Sequence, residues 1–210
     1  MKFSATSLTA LVSAQRGFDP TESERVDNSV RRYFQLTTMM EHVNPEFDEK
    51  KYWTYGCNCL VLGDRPMSDP GKGRPVDELD SVCKAYKDCL KCARKTHGDM
   101  CIPEMVEYKF RITKSDEIIC RDDKGSCGRD LCMCDKMFAQ QHETAKDVFD
   151  EQYHMFWAPN GWEPQEECFR KGNSFSDPQC CGGSTSPFVQ FNGNRKECCA
   201  DGSVAMIGSC

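Results

Sequence analysis

Sixteen cysteines in 210 residues decide what this chain can fold into. So many thiols persist either as disulfides in an oxidising space or as metal ligands in a reducing one. The sequence contains CNC, CMC, CLKC and two CC pairs. Adjacent or one-apart cysteines chelate poorly, and zinc knuckles come in matched CxxC pairs. Only Cys89 and Cys92 have that spacing, and no second knuckle matches them. The even count suits complete pairing, so the expectation is a disulfide framework in a secreted, extracellular protein.

The rest of the composition narrows the class. Residues 1–14, MKFSATSLTALVSA, have one Lys, a short apolar run broken by Ser and Thr, and a small-residue end. They read as a thin signal peptide cleaved near Ala14, with residues 1–22 as signal and lead-in. No apolar run reaches the ~20 residues of a membrane span. The net charge of -6 argues against nucleic acid as a partner, because phosphate backbones call for a basic face.

The cysteines fall into ten between residues 57 and 134 and six between residues 168 and 210. Both groups are even, so each can close on itself. The stretch between them is Cys-free and ends in Pro, Gly and Asn, which places a boundary near residue 158. Residues 23–158 then form one domain and residues 159–210 a cysteine-rich module. Residues 20–43 read as a helix capped by Thr21 or Ser23, with an apolar stripe of Val26, Val30, Tyr33, Phe34 and Met40. A second helix is expected over 76–94, a hairpin over 107–120 turning at Lys114-Ser115-Asp116, and a third helix over 129–155. The fold class expected is mainly α and disulfide-rich, with a small β-hairpin and a mostly β or irregular tail.

Three motifs give this scaffold a likeness. YGCNC at 55–59, GKGRPVDELDSVCKAYKDC at 71–89 and CGRDLCMCDKMFAQ at 127–140 resemble secreted phospholipase A2. That family has a Tyr-Gly-Cys-x-Cys-Gly-x-Gly calcium loop, then Pro-x-Asp-x-x-Asp before Cys-Cys-x-x-His-Asp-x-Cys, and a Cys-x-Cys-Asp segment on a partner helix. The resemblance implies the pairs Cys59–Cys83, Cys89–Cys134 and Cys120–Cys132, with Cys127 reaching Cys101. Val82 and Gln141 stand where the two ends of a further family bridge would be, so both ends are lost together. Cys57 and Cys92 are left without assigned partners. A late cysteine such as Cys168 is one candidate for Cys57, whose family counterpart pairs with a C-terminal extension.

By the same resemblance, hydrolysis needs a His base, an Asp that ligates calcium and a second Asp that orients the imidazole. Here Tyr86 stands at the base position, Lys87 at the calcium position and Asp135 at the orienting position. A phenol titrating near pH ~10 is a poor base. An ammonium cannot ligate a cation. Leu60 replaces the loop Gly, and an inserted stretch, VLGDRPMSDP, follows at 61–70. Base, metal ligand and metal loop all depart from the pattern. The expectation is a degenerate site with no catalytic residue, no calcium or other cofactor, and a Tyr86–Asp135 hydrogen bond of purely structural value. His42, His97, His142 and His154 lack a nucleophile or paired carboxylate at a telling spacing and read as surface residues. The acidic clusters Asp122-Asp123 and Asp147/Asp150-Glu151 read as solvated faces.

The tail holds Cys168, Cys180, Cys181, Cys198, Cys199 and Cys210. Adjacent cysteines cannot easily bond each other, so each CC pair sends two bridges outward. The tail's Cys-Cys-Gly and Cys-Cys-x-Asp-Gly steps resemble the di-cysteine repeats of galaxin-like matrix proteins. Its apolar residues Phe175, Phe188, Phe191 and Met206 pack either on the first domain or on a neighbour.

The resulting reading is a secreted phospholipase A2-like pseudoenzyme. It serves as a structural or binding component of an extracellular matrix, with matrix proteins or copies of itself as partners. Otoconin-type matrix proteins, with altered phospholipase A2-like domains, are the analogy. The alternative is a non-hydrolytic lipid-surface binder: homologues with Lys at the calcium position disturb membranes, though they keep the His and are basic. An active phospholipase is the remote alternative.

Overall fold

The computed structural model describes residues 22–60, 67–168 and 177–210, without the side chains of residues 22–32 and residue 60. The expected signal segment, the Thr21 cap and Phe175 lie outside the described residues. Helix α1 spans Glu22–Val43, α2 Glu49–Tyr52, α3 Glu78–His97, α4 Cys127–Ala145 and α5 Pro164–Glu167. Four two-stranded antiparallel sheets complete the described elements: β1 (Thr54–Tyr55) with β2 (Cys59–Leu60), β3 (Phe110–Ile112) with β4 (Ile118–Cys120), β5 (Pro178–Gly183) with β6 (Ser186–Asn192), and β7 (Lys196–Cys198) with β8 (Val204–Met206). The helix-rich, disulfide-rich fold is the one expected.

Helices α3 and α4 form the centre. Asp77 caps α3 by accepting from the Asp80 amide at 2.8 Å, and Gly98, at φ 96°, ends it. Ser126 caps α4 through the Arg129 amide. Across the pair, Tyr86 meets Asp135, Cys89 bridges Cys134, and His97 meets Asp130. Numbers rise on one helix as they fall on the other, so the two helices are antiparallel. Their buried faces carry Leu79, Cys83, Tyr86 and Leu90 on one side and Leu131, Cys134 and Phe138 on the other. Removing apolar area of this kind from water is the main stabilising contribution.

Among the described side chains of α1 the buried ones are Leu36, Thr37, Met39 and Met40, with Tyr33 half-buried. Phe34, expected in the stripe, is 65% exposed. At 3.6 residues per turn it lies well off the face centred on Leu36 and Met40. The third helix also stops earlier than its pattern suggested, at Ala145. Two 3-10 turns follow, Lys146–Val148 and Glu151–Tyr153. The chain must turn here because its next residues pair with β1: Gly56 donates to the Tyr153 carbonyl and Met155 to the Thr54 carbonyl.

All 16 cysteines are paired. Cys59–Cys83, Cys89–Cys134, Cys101–Cys127 and Cys120–Cys132 are the pairs the resemblance implied. The two cysteine groups do not each close on themselves, and Cys57 takes the late partner named as its candidate, Cys168. Cys57 reaches Cys168 and Cys92 reaches Cys180, so two bridges tie the tail to the helical core. The tail keeps Cys181–Cys198 and Cys199–Cys210. An even count permits closure within a group but does not select it. Cys92 sits fully buried on the α3 face that β6 covers. Phe188 of β6 joins the main core, and Phe191 is buried too, whereas Met206 is 58% exposed.

Two histidines read as surface residues are buried. His154 sits in the turn after the second 3-10 segment. Its Nε2 contacts the Thr54 hydroxyl and the Lys50 carbonyl, and its Nδ1 accepts from the amides of Phe156 and Trp157. His142 on α4 is 1% exposed, edge-on to Tyr52 at 4.4 Å between centroids. Neither of its ring nitrogens has a hydrogen-bond partner among the described residues. Burial, with Lys51 and Lys146 nearby, lowers its pKa to about 4. A folded value below the unfolded one gives stability that is full above pH ~6.5 and is lost as pH falls through about 4. His142→Leu is therefore expected to raise stability at pH 7 by about 1 kcal/mol, because two orphaned polar atoms disappear. It should also flatten the acid limb between pH ~6.5 and ~4, which amounts to on the order of 3 kcal/mol. Urea unfolding at several pH values reads both effects, and an unchanged acid limb would refute the assignment.

Candidate functional site

The site is built where α3 and α4 face each other. Tyr86 comes from the middle of α3, stacked at 4.5 Å on Phe138 of α4. Its hydroxyl donates to Asp135 Oδ1 at 2.8 Å, as expected. Tyr108, on the stretch leading into β3, donates to the other carboxylate oxygen. Asp135 is 0% exposed. Burial pushes its carboxyl up to about 7, against the pull of the two phenols. Burial and the Asp135 charge hold the Tyr86 phenol well above its ordinary value. A phenol held protonated, with its proton committed to a carboxylate, has no capacity to accept one.

Lys87, one residue on, is 7% exposed. Burial lowers its amine to about 8, with Glu104 and Asp69 pulling it back up. Glu104 is itself buried, and its Oε1 accepts the amides of Met67 and Ser68. That fastens the later part of the insertion against the site. The space left beside the Tyr86 ring, among Tyr33, Leu36, Trp53 and Phe138, is about 10 Å³ among the described residues. One water fills such a volume.

The neighbouring loop is held by a different carboxylate. Asp80 is 0% exposed and accepts the amides of Cys57 at 2.9 Å, Asn58 at 2.7 Å and Val76 at 3.0 Å. Gly56, at φ 59°, lies so close that a Cβ there would stand 2.5 Å from the Asp80 carboxyl carbon. Only glycine fits. The Tyr55 hydroxyl donates to Asp77. Among the described residues no three His, Cys, Asp or Glu side chains converge as a metal-binding group.

Tyr86 and Asp135 come together as expected, and Lys87 lies beside them. Tyr108 and Glu104 were not foreseen. Neither carries a local signal, since each reaches the site from a loop whose path only the fold defines. The four histidines do not gather at the site. His97 pairs instead with the buried Asp130 at 2.7 Å, and His42 meets the Asp116 carbonyl.

The family model for phospholipase A2 matches residues 33–154. The chain is 35% identical over 107 residues to a basic phospholipase A2, the beta-bungarotoxin A5 chain of Bungarus multicinctus, covering 50% of this chain and 70% of that one. It is 32% identical over 124 residues to the group IID secretory phospholipase A2 of Mus musculus, covering 59% and 78%. It is 30% identical over 135 residues to the acidic phospholipase A2 BthA-1 of Bothrops jararacussu, covering 64% and 87%. The match ends near residue 154, and the cysteine-rich tail lies beyond it.

Proposed function

The chain belongs to the phospholipase A2 family, and from that premise we propose that it is a secreted member without catalysis. It works as a structural or binding part of an extracellular assembly. The observation that carries this reading is the bond from the Tyr86 hydroxyl to Asp135. In the family pattern that position belongs to the base, and here it is a donor locked to the residue that would orient one. Loss of general base catalysis alone removes about 10²–10⁴ in rate.

The residues do not fit the family calcium ion. Lys87 presents an ammonium where a carboxylate ligand belongs, and Leu60 replaces the loop glycine. Eight disulfides support an oxidising, extracellular setting. No helix among the described residues is long and apolar enough to cross a membrane. The cysteine-rich tail supplies surface for matrix proteins or for further copies of the chain.

Hydrolysis on mixed phospholipid–detergent micelles with calcium tests the reading. The wild type should release no more fatty acid than Tyr86→Phe, and calorimetry should show no calcium uptake. Calcium-dependent turnover that Asp135→Asn abolishes would overturn it. The second reading, a non-hydrolytic lipid-surface binder, is favoured by one feature. Phe156 and Trp157 are neighbours on the surface, 69% and 41% exposed. Vesicle binding without hydrolysis, lost in Trp157→Ala, would select it.

A further inference from the structure

Cys199–Cys210 differs from the other bridges in its access to water. Cys199 is half-buried and Cys210 exposed, whereas every other bridge has at least one buried cysteine. The nearest in character, Cys181–Cys198, has an exposed Cys198 but a Cys181 only 2% exposed. Thiol–disulfide exchange begins with a thiolate reaching a disulfide sulfur, so access separates a labile bridge from an inert one.

A second feature concerns what holds these two cysteines together apart from their own bond. Glu197 of β7 accepts on Oε1 the amides of Gly208 at 2.7 Å, Ser209 at 3.0 Å and Cys210 at 3.2 Å. On the other side, the Cys199 amide donates to the Ser203 carbonyl and the Cys199 carbonyl accepts from Gly202, both at 2.9 Å. The β7–β8 ladder lies between them, and Cys181–Cys198 ties β7 to β5. None of these contacts uses the Cys199–Cys210 bond, and neither cysteine belongs to the core cluster. Opening the bridge therefore leaves the fold intact and keeps both thiols close, at an effective concentration in the millimolar range or above.

We propose that Cys199–Cys210 is an exchange site that takes up an external thiol as a mixed disulfide. The incoming thiolate attacks Sγ of Cys210, the more exposed sulfur. A sulfur–sulfur bond forms there, the bond to Cys199 breaks, and Cys199 leaves as a thiolate that takes a proton from water. One disulfide is consumed and one is made, so no oxidant is required. The Cys199 thiolate can attack Cys210 again and expel the external thiol, which makes the uptake reversible. The thiol belongs either to a small molecule or to a cysteine of a second copy opened at the same bridge. The proposal draws on the tail and not on the loss of hydrolysis, so it stands or falls separately from the proposed function.

The test exposes the whole folded chain to graded ratios of reduced to oxidised glutathione, without denaturant. Free thiols are trapped with N-ethylmaleimide and located by peptide mass spectrometry, while Trp53 fluorescence reports the fold. Cys199 and Cys210 should be labelled at a ratio at least about tenfold milder than any other cysteine, with native fluorescence and a glutathione adduct on Cys210. A glutathione adduct alone makes the source a small thiol; disulfide-linked dimers on a non-reducing gel make it a second copy. Both products should vanish in Cys199→Ala/Cys210→Ala. Glu197→Ala, which releases the three amides, should shift half-opening at least about threefold towards milder ratios by lowering the effective concentration of the two thiols. The proposal is overturned by earlier or equal opening of another bridge, Cys181–Cys198 included, by the absence of any adduct or dimer while fluorescence stays native, or by adducts that persist in the double variant. Should Glu197→Ala fail to fold, the wild-type labelling order and the double variant decide the matter.

Discussion

Asp80→Ala is expected to cost on the order of 5 kcal/mol. The Asp80 carboxylate accepts three backbone amides and has no exposure to water. Truncation leaves three donors without an acceptor, two of them buried and one half-buried, at about 1–3 kcal/mol each. It also opens a void beneath Gly56, whose backbone was shaped around the carboxyl. The loss is comparable with the ~5–15 kcal/mol that separates folded from unfolded states of ordinary domains. Chemical unfolding with the disulfides intact, followed by tryptophan fluorescence from Trp53, measures it. Asp80→Asn should fall between, because one oxygen still accepts while the amide group turns a donor towards donors. A cost below ~1 kcal/mol for Asp80→Ala would mean that water replaces the carboxylate, and that the loop over 56–58 is not held from α3.

The second large effect is expected at Cys92–Cys180. This bridge joins the buried face of α3 to β5 across 88 residues. A loop of that length in the unfolded chain corresponds to about 4–5 kcal/mol of closure entropy. The Cys57–Cys168 bridge already shortens the loop, so the double variant Cys92→Ala/Cys180→Ala should lose about 3 kcal/mol. The loss should be local. Residues 178–206 should gain hydrogen exchange and become sensitive to protease, while α3 and α4 keep their protection through Cys89–Cys134. Two contacts resist the release: Phe188 packs in the core, and the Ser184 amide donates to Asp130 at 2.7 Å. If exchange in residues 178–206 stays as slow as in the wild type, those contacts alone hold the tail, and the bridge adds only stability.

Several features were legible because their causes are local. The α3 cap and stripe follow from Asp77 and from apolar residues at helical spacing. The β3–β4 hairpin follows from alternation and a polar turn, in which Asp116 takes φ 61°. The lateral position of Phe34 was misread because its neighbours Tyr33 and Leu36 to Met40 fix a face that one more aromatic does not shift. The end of α4 at Ala145 was also hidden. The sequence beyond it continues a helical pattern, and only pairing of residues 153–155 with β1 pulls the chain out of the helix.

The sequence by itself determined that disulfides form, and its resemblance to the family implied four of the bridges and the places of Tyr86, Lys87 and Asp135 at one helix-facing site. Spacing along the chain gives the helical side each residue occupies, and the bridges and roles come from the motifs matched to the family. Only the tertiary structure decided that the tail is stapled to α3, that His142 and His154 are interior, and that Tyr108 completes the bonds to Asp135. Each of these depends on what lies opposite a face, and spacing along the chain gives the face without its neighbour.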